Sequence, residues 1–270
     1  MILAMKCIAV FCVNYNSYEF LDSFLCSVDK AAKYAGDVSV SVFVADNTER
    51  NIKAISTNVH NINLKIFAYN ENLGYFGAVG RMMGDVPAED FDYVIISNVD
   101  IMIEQDALAK LVSKYDRNNT VGWIAPQIYS EDERRDRNPK IMARYSLRRL
   151  RMLRLMFKYP LLNSVYKKTL YQRKKYQVHD PGEIYSGHGS FIILTNEYFK
   201  RCDIIDYPVF LFGEEIYLAE KCRVNGLTVY YDPEIKVVDR EHASTSKMPS
   251  RFYTKCNVEA LSYIIRAFYR

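Results

Sequence analysis

Four stretches of this sequence carry residue types that do chemistry. Tyr93 to Asp100 reads Tyr-Val-Ile-Ile-Ser-Asn-Val-Asp, a continuous β-branched run of the kind that forms a buried parallel strand. Its carboxyl end delivers the Asp100 carboxylate, and open α/β sheets bind ligands outside the carboxyl ends of their strands. The alternative is that Asp100 caps the helix expected over Gln105–Tyr115. Glu214 and Glu215 follow Phe210-Leu211-Phe212-Gly213 and open a helix through Val224, closed by Asn225-Gly226. They read either as a poised base or as ordinary first-turn acids, which a helix N-terminus favours in any case. His188 stands in Gly187-His188-Gly189-Ser190, where the backbone is permissive enough for substrate contact and equally suits a turn. Asp239 and His242 follow the last apolar run in a polar stretch.

The elements that must position these groups alternate along the chain. Strands are expected at Ile8–Val13, Ser39–Ala45, Leu64–Tyr69 and Tyr93–Asn98, ending in Asn14-Tyr15-Asn16, Asp46-Asn47, Asn70-Glu71-Asn72 and Asn98-Val99-Asp100. Each strand thus closes on Asn or Asp, which lines one end of the sheet with polar groups. A helix over Glu19–Ala32 carries Phe20, Leu21, Phe24, Leu25 and Val28 on one face. Strands alternating with helices predict an α/β fold with a mostly parallel sheet and right-handed crossovers. Later strands are expected at Phe191–Leu194, Leu227–Tyr231 and Ile235–Val238, the last two split by Asp232-Pro233, with a closing helix over Arg251–Tyr269. Gly74, Gly77 and Gly80 open a helix after a strand, but their spacing is not that of a dinucleotide fingerprint. They serve either close helix packing or backbone approach to a nucleotide or sugar.

The 270 residues accommodate a single large domain, and 49% hydrophobic content suffices for its core. The net charge of +4 conceals an asymmetry: Arg134 to Lys175 holds fifteen Lys and Arg against one acid, Asp136. Six cysteines show no CxxC spacing, which argues against structural zinc and for a reducing compartment. No run reaches the length of a spanning helix and the apolar N-terminus lacks a cleavage signal, so a cytoplasmic chain is expected. Tyr145–Lys158 can form a helix with Leu150, Leu153, Met156 and Phe157 on one side and Arg148, Arg151, Arg154 and Lys158 opposite. That is either a membrane-surface element with its apolar face dipped into lipid, or a helix packed on the domain with a solvated basic face. No nucleic-acid recognition motif accompanies the charge.

Taken in order, these residues resemble a family 2 glycosyltransferase of the GT-A fold, on the rhamnosyltransferase-like side of that family. The matching marks are Asn14-Tyr15-Asn16, Asp46-Asn47, Asn72-Leu73-Gly74 with Gly77, Asn98-Val99-Asp100 in place of the DxD motif, Gly213-Glu214-Glu215, Tyr231-Asp232-Pro233 and Lys255-Cys256-Asn257. The resemblance implies a single GT-A, Rossmann-like domain over residues 1–270. Residues 1–103 would form the nucleotide-sugar half and 104–245 the acceptor half, the latter including a basic helical segment over 131–180. A C-terminal helix would occupy 246–270. It further implies an inverting transfer from a UDP- or dTDP-sugar to a glycan or lipid-diphosphate-linked glycan in bacterial surface polysaccharide (O-antigen or capsule) synthesis.

Carried over residue by residue, the resemblance makes Asn14, Asn16, Asp46, Asn72, Gly74, Asn98 and Asp100 donor-binding, Glu215 the general base, and His188 and Glu214 acceptor-binding. Asp100 would hold Mn2+ or Mg2+ together with His242 or Asp239, since a hard cation suits a departing diphosphate. The sequence departs from the family pattern at three points: the base is Glu where Asp is usual, the first DxD acid is the amide Asn98, and the family's usual histidine after the last strand would fall near Asp239, with His242 three residues later. The basic stretch would seat the enzyme peripherally on the inner leaflet of the cytoplasmic membrane. A nucleotidyltransferase would want a Gly-rich, Arg-Lys signature after the first strand, which Asn14–Tyr18 does not offer. A non-catalytic basic module would bind through Arg134–Lys175 alone.

Overall fold

The computed structural model describes residues 5–55, 58–115, 120–159, 178–240 and 250–269. In chain order the first half runs β1 (Lys6–Asn14), α1 (Tyr18–Ala35), β2 (Val38–Asp46), β3 (Asn63–Ala68), α2 (Tyr75–Asp85), β4 (Tyr93–Asn98), β5 (Ile101–Ile103) and α3 (Ala107–Lys114). The second half runs β6 (Val121–Ser130), β7 (Arg135–Asp136), α4 (Leu147–Lys158), β8 (Gly182–Ile184), β9 (Phe191–Thr195), α5 (Asn196–Cys202), α6 (Glu214–Val224), β10 (Thr228–Asp239) and α7 (Ser250–Phe268).

Ile8 to Cys12 of β1 are wholly buried, as are Ile95 and Ile96 of β4. Strands this apolar on both faces require helices on both faces, and the sheet is covered accordingly. Leu21, Phe24, Leu25 and Val28 of α1 pack with Leu108 and Leu111 of α3 against one face. Phe76, Val79 and Met82 of α2 pack on the other face with Tyr198 of α5, Leu218 of α6 and Ile264 of α7. Each such side chain contributes roughly 1.5–3 kcal/mol on leaving water. The expected α/β architecture, a central sheet flanked by helices, is the one observed.

The strand order is β3-β2-β1-β4-β9-β6-β10-β5. Pairings among β3, β2, β1 and β4 are parallel, as is β6 with β10, whereas β9 runs antiparallel to both β4 and β6. The sheet is therefore mixed, with its long pairings parallel. Because β9 is reversed, the loop before it enters at the carboxyl edge of β4. β6 escapes sequence periodicity because Gly122 and Pro126 interrupt it, and both residues ordinarily argue against a strand interior.

Three sequence expectations change. The Asp232-Pro233 break is an irregularity in register between Asp232 and Lys236 inside one strand, β10. The basic segment 131–180 is not uniformly helical. Arg135–Asp136 pairs with Tyr129–Ser130, residues 147–158 alone form a helix among those described, and residues 160–177 lie outside the described residues. The Asp136 carboxylate holds the preceding loop non-helical by accepting from Ile128 N, Asn138 N and Tyr231 Oη at 2.9, 2.8 and 2.6 Å. Finally, Asp100 caps no helix: β5 intervenes, and α3 begins only at Ala107 with Asp106 at its N-cap position. Among the described residues no helix is long and apolar enough to cross a membrane.

Candidate active site

The polar strand ends meet as a rim. Asn14 stands opposite Asp46, Asp46 opposite Ala68, and Val13 opposite Asn98. Asn14, wholly buried, donates from Nδ2 to Asp46 Oδ1 at 3.0 Å and accepts from Ser17 N at 3.0 Å. Tyr18 Oη donates to Asp46 Oδ2 at 2.8 Å and Thr48 N donates to Oδ1 at 3.1 Å. Asp46 and Asn14, both expected to touch the donor, thus tie the first two rim loops together with side chains already hydrogen-bonded. Asn16 is exposed, at a left-handed φ of 56°, and borders an open pocket of ≈ 280 Å³ that Tyr18, Asn51 and Lys53 also line.

Gly74 joins the donor rim to the opposite wall. Its N–H donates to Asn72 Oδ1 and its carbonyl accepts from Asn47 Nδ2, both at 3.1 Å. At φ 74° and ψ −170° it occupies backbone space that is essentially glycine's own. A Cβ there would stand 2.2 Å from the Phe210 carbonyl oxygen. The glycine therefore lets the donor loop touch the loop that leads into Glu214 and Glu215.

Tyr75, the first residue of α2, links the donor side to Glu215 through Gly189, a role the sequence did not disclose because an aromatic after Gly74 reads as core. The Tyr75 hydroxyl donates to the Gly189 carbonyl at 3.2 Å. Gly189 in turn abuts Glu215: a Cβ on it would lie 3.3 Å from Glu215 Cδ and Oε1. Burial, then the charges of Glu214, Cys12, Asp100 and Glu215, hold the Tyr75 phenol well above its ordinary pKa. Asp100 is partly buried and its carbonyl accepts from Arg240 N at 3.1 Å, because β10 pairs antiparallel with β5 and sets Asp239 opposite Ile101. Asn98, also partly buried, donates its N–H to the Ser190 carbonyl at 2.9 Å.

The two glutamates at the start of α6 differ sharply. Glu215 is partly exposed, while Glu214 is buried and accepts from Phe212 N at 2.9 Å. Burial, then the charge of Glu215, push the Glu214 carboxyl up to about 8 from an ordinary 4.5. Between those values the folded chain keeps a proton that the unfolded chain has released, so stability declines as pH rises through this window and is level above it. Glu214→Gln keeps the acceptor for Phe212 N and removes the titration. Urea titrations from pH 5 to 9 should show the variant gaining on the parent protein as pH rises, and parallel profiles would contradict the assignment. Glu214, expected to touch the acceptor, is buried and supports the loop from inside.

His188 anchors a second network. Its N–H donates to Asn138 Oδ1 at 2.7 Å, and its Nδ1 accepts from Ser190 N at 3.2 Å with Ser190 Oγ at 2.9 Å. Burial, then the charges of Lys140, Arg137 and Arg135, keep the imidazole well below its ordinary pKa and therefore neutral at pH 7. Asp239 is buried and its Oδ2 accepts from Arg137 Nη1 at 2.8 Å. Burial raises its pKa against the opposing pull of Arg137. Through that oxygen Asp239 holds Arg137 and with it the loop that follows β7. The expected ligand His242 lies outside the described residues.

Among the described residues no group of three or more His, Cys, Asp or Glu forms a metal cage. A hard cation held mainly by substrate phosphates and water requires only one or two carboxylates, and Asp100 at the rim fits that requirement.

The fold and this rim belong to a known class. The chain superimposes on a crystal structure of GalNAc-T7 with UDP, GalNAc and Mn2+ at a TM-score of 0.64 and 14% identity, covering 97% of this chain and 48% of that one. It thus spans about half the length of that protein. It superimposes on TarS 1–349 from S. aureus at a TM-score of 0.55 and 11% identity, covering 98% of this chain and 73% of that one. At such identities the likeness is one of fold, which is the GT-A arrangement. The family profile of Glycosyl transferase family 2 matches residues 9–185, and the chain belongs to that family. No curated protein matches it in sequence. The family match replaces the nucleotidyltransferase and non-catalytic readings. It ends before His188 and Glu215, so the roles of those residues rest on geometry.

Proposed function

We propose that this chain is an inverting, hexosyl-transferring enzyme that moves a sugar from a UDP- or dTDP-sugar to a hydroxyl of a lipid-diphosphate-linked glycan, in the rhamnosyltransferase-like manner of bacterial O-antigen or capsule synthesis. The observation that carries this reading is the meeting of Glu215 with Gly189, which the Tyr75 hydroxyl holds, beside the sheet edge where Asn14, Asp46 and Asn98 end adjacent parallel strands and Asp100 follows two residues on. The UDP in the GalNAc-T7 structure supports the donor class.

In the mechanism the donor's nucleotide lies along the rim from Asn14 and Asn16 to Gly74, with Asp46 holding the loops that border it. Asp100 would hold Mn2+ or Mg2+, which when bound neutralises charge on the departing diphosphate. Glu215, partly exposed at the start of α6, accepts the acceptor's hydroxyl proton. The freed oxygen attacks the anomeric carbon as the bond to the diphosphate breaks on the opposite side, which inverts the configuration. Tyr75 holds Gly189, and hence the wall beside Glu215, in place. Neutral His188 presents a hydrogen-bonding edge to the acceptor without adding charge.

Thermal shift with UDP, dTDP and their sugar conjugates, with and without Mn2+, tests this reading. A ligand at a hundred times its Kd stabilises the fold by about 2.7 kcal/mol. One nucleotide series should raise Tm, and Asp100→Asn should retain the fold while losing the Mn2+-dependent part of the rise. No response to any sugar nucleotide would refute the donor assignment.

A further inference from the structure

Of the two readings of α4, the helix packed on the domain with a solvated basic face is the one its packing matches. Its apolar side does not face outward: Leu150 and Met156 are buried, Leu153 and Phe157 pack against the core, and Phe157 meets Tyr253 of α7 edge-on with centroids 6.0 Å apart. The outward side holds a second set of apolar residues, which a helical wheel hides among the arginines. Met152, Leu155 and Tyr159 are 44%, 49% and 48% exposed. Met152 and Leu155 lie three residues apart on one face of the helix, Tyr159 caps its end, and exposed Arg148, Arg151 and Lys158 flank them. Lys158 Nζ lies 5.6 Å from the centre of the Tyr159 ring. The helix contains no acid. Large apolar side chains interleaved with long cations, with a tyrosine at the end, suit a bilayer interface: the cations reach headgroup phosphates while the apolar groups enter the acyl boundary.

We infer that the outward face of residues 147–159 docks on an anionic lipid bilayer, with Met152, Leu155 and Tyr159 as the inserted residues. This deepens the reading of a lipid-linked acceptor and rests on it for the substrate that docking would bring within reach. The placement is productive, because Tyr253, which Phe157 touches, also packs on Phe212 at 5.0 Å between ring centres, two residues before Glu214. A membrane against the outward face of α4 therefore lies one helix away from the contacts that lead to the wall carrying the base.

The test is flotation of the full chain with vesicles of phosphatidylglycerol and phosphatidylcholine, against vesicles of phosphatidylcholine alone. The protein should float with the anionic vesicles and stay behind with the neutral ones. Arg148→Gln/Arg151→Gln/Lys158→Gln should weaken partitioning about 100-fold, at the usual contribution of each cation near an anionic surface. Met152→Ser/Leu155→Ser should bind at low salt and be released by salt that leaves the parent bound. Leu155→Trp should shift its emission to the blue on the vesicles, against the constant background of fully buried Trp123. Failure of the parent protein to float, variants that bind as it does, an unshifted Leu155→Trp emission, or retention on RNA in place of vesicles would each overturn the proposal. The same variants should keep the nucleotide-induced rise in Tm. Flotation without any nucleotide response sinks the transfer reading alone, and the reverse result sinks docking alone.

Discussion

Glu215→Gln should lower the turnover of sugar transfer by about 10²–10⁴-fold, the usual contribution of a positioned general base, while the nucleotide-induced rise in Tm persists. The amide is nearly isosteric and cannot take the hydroxyl proton. Glu215 is partly exposed beside Gly189, so the substitution leaves no charge stranded. Glu214 provides the control: its buried carboxyl supports Phe212 N and holds its proton to about pH 8, so Glu214→Gln should change the pH dependence of stability far more than turnover. Steady-state release of nucleoside diphosphate measures both. A Glu215→Gln enzyme within tenfold of the parent would remove Glu215 from the chemistry.

Glu220→Ala should cost about 1.5–3 kcal/mol of folding stability, the usual worth of hydrogen bonds to a charged group, since its partners Arg144 and Arg223 are 37% and 45% exposed and are not stranded in the interior. Glu220 is wholly buried. It accepts from Arg144 Nε and Nη2 at 2.6 and 3.1 Å, Tyr185 Oη at 2.6 Å, Arg223 Nε at 2.9 Å and Tyr269 Oη at 3.2 Å. Arg144 also stacks on Tyr269, 3.9 Å from its ring centre, and donates to the Phe268 carbonyl. This cluster fastens the loop before α4 and the end of the chain onto α6, and so holds the wall behind Glu214 and Glu215. Burial pushes the Glu220 carboxyl up, but hydrogen bonds from Arg144, Tyr185 and Arg223 outweigh it and hold the pKa below its ordinary value. The stabilisation is therefore present above the ordinary carboxylate pKa and is lost as acid takes the pH through the depressed one. Urea denaturation at pH 7 should show a lower midpoint with an unchanged slope, and the gap between parent and variant should close in acid. A difference below about 1 kcal/mol at pH 7 would mean the cluster is structurally idle.

The sequence by itself determined strands over Ile8–Val13, Ser39–Ala45 and Tyr93–Asn98 and their Asn or Asp endings, which the structure extends to Lys6–Asn14 and Val38–Asp46, because continuous β-branched runs followed by polar punctuation have few other solutions in water. It also determined the family, through marks whose order along the chain carries more information than any one of them. Pairing, by contrast, depends on contacts between distant segments. Antiparallel β9, which brings Ser190 to Asn98, and β5, which brings Arg240 to Asp100, have no local signal. The same non-local packing made Asp46 a tie between loops, set Arg137 against Asp239 and drew Tyr75 into the site. Which side of α4 faces out was likewise a tertiary decision. Its two stripes are both partly apolar, and α7 covers one of them, leaving Met152 and Leu155 to the surface.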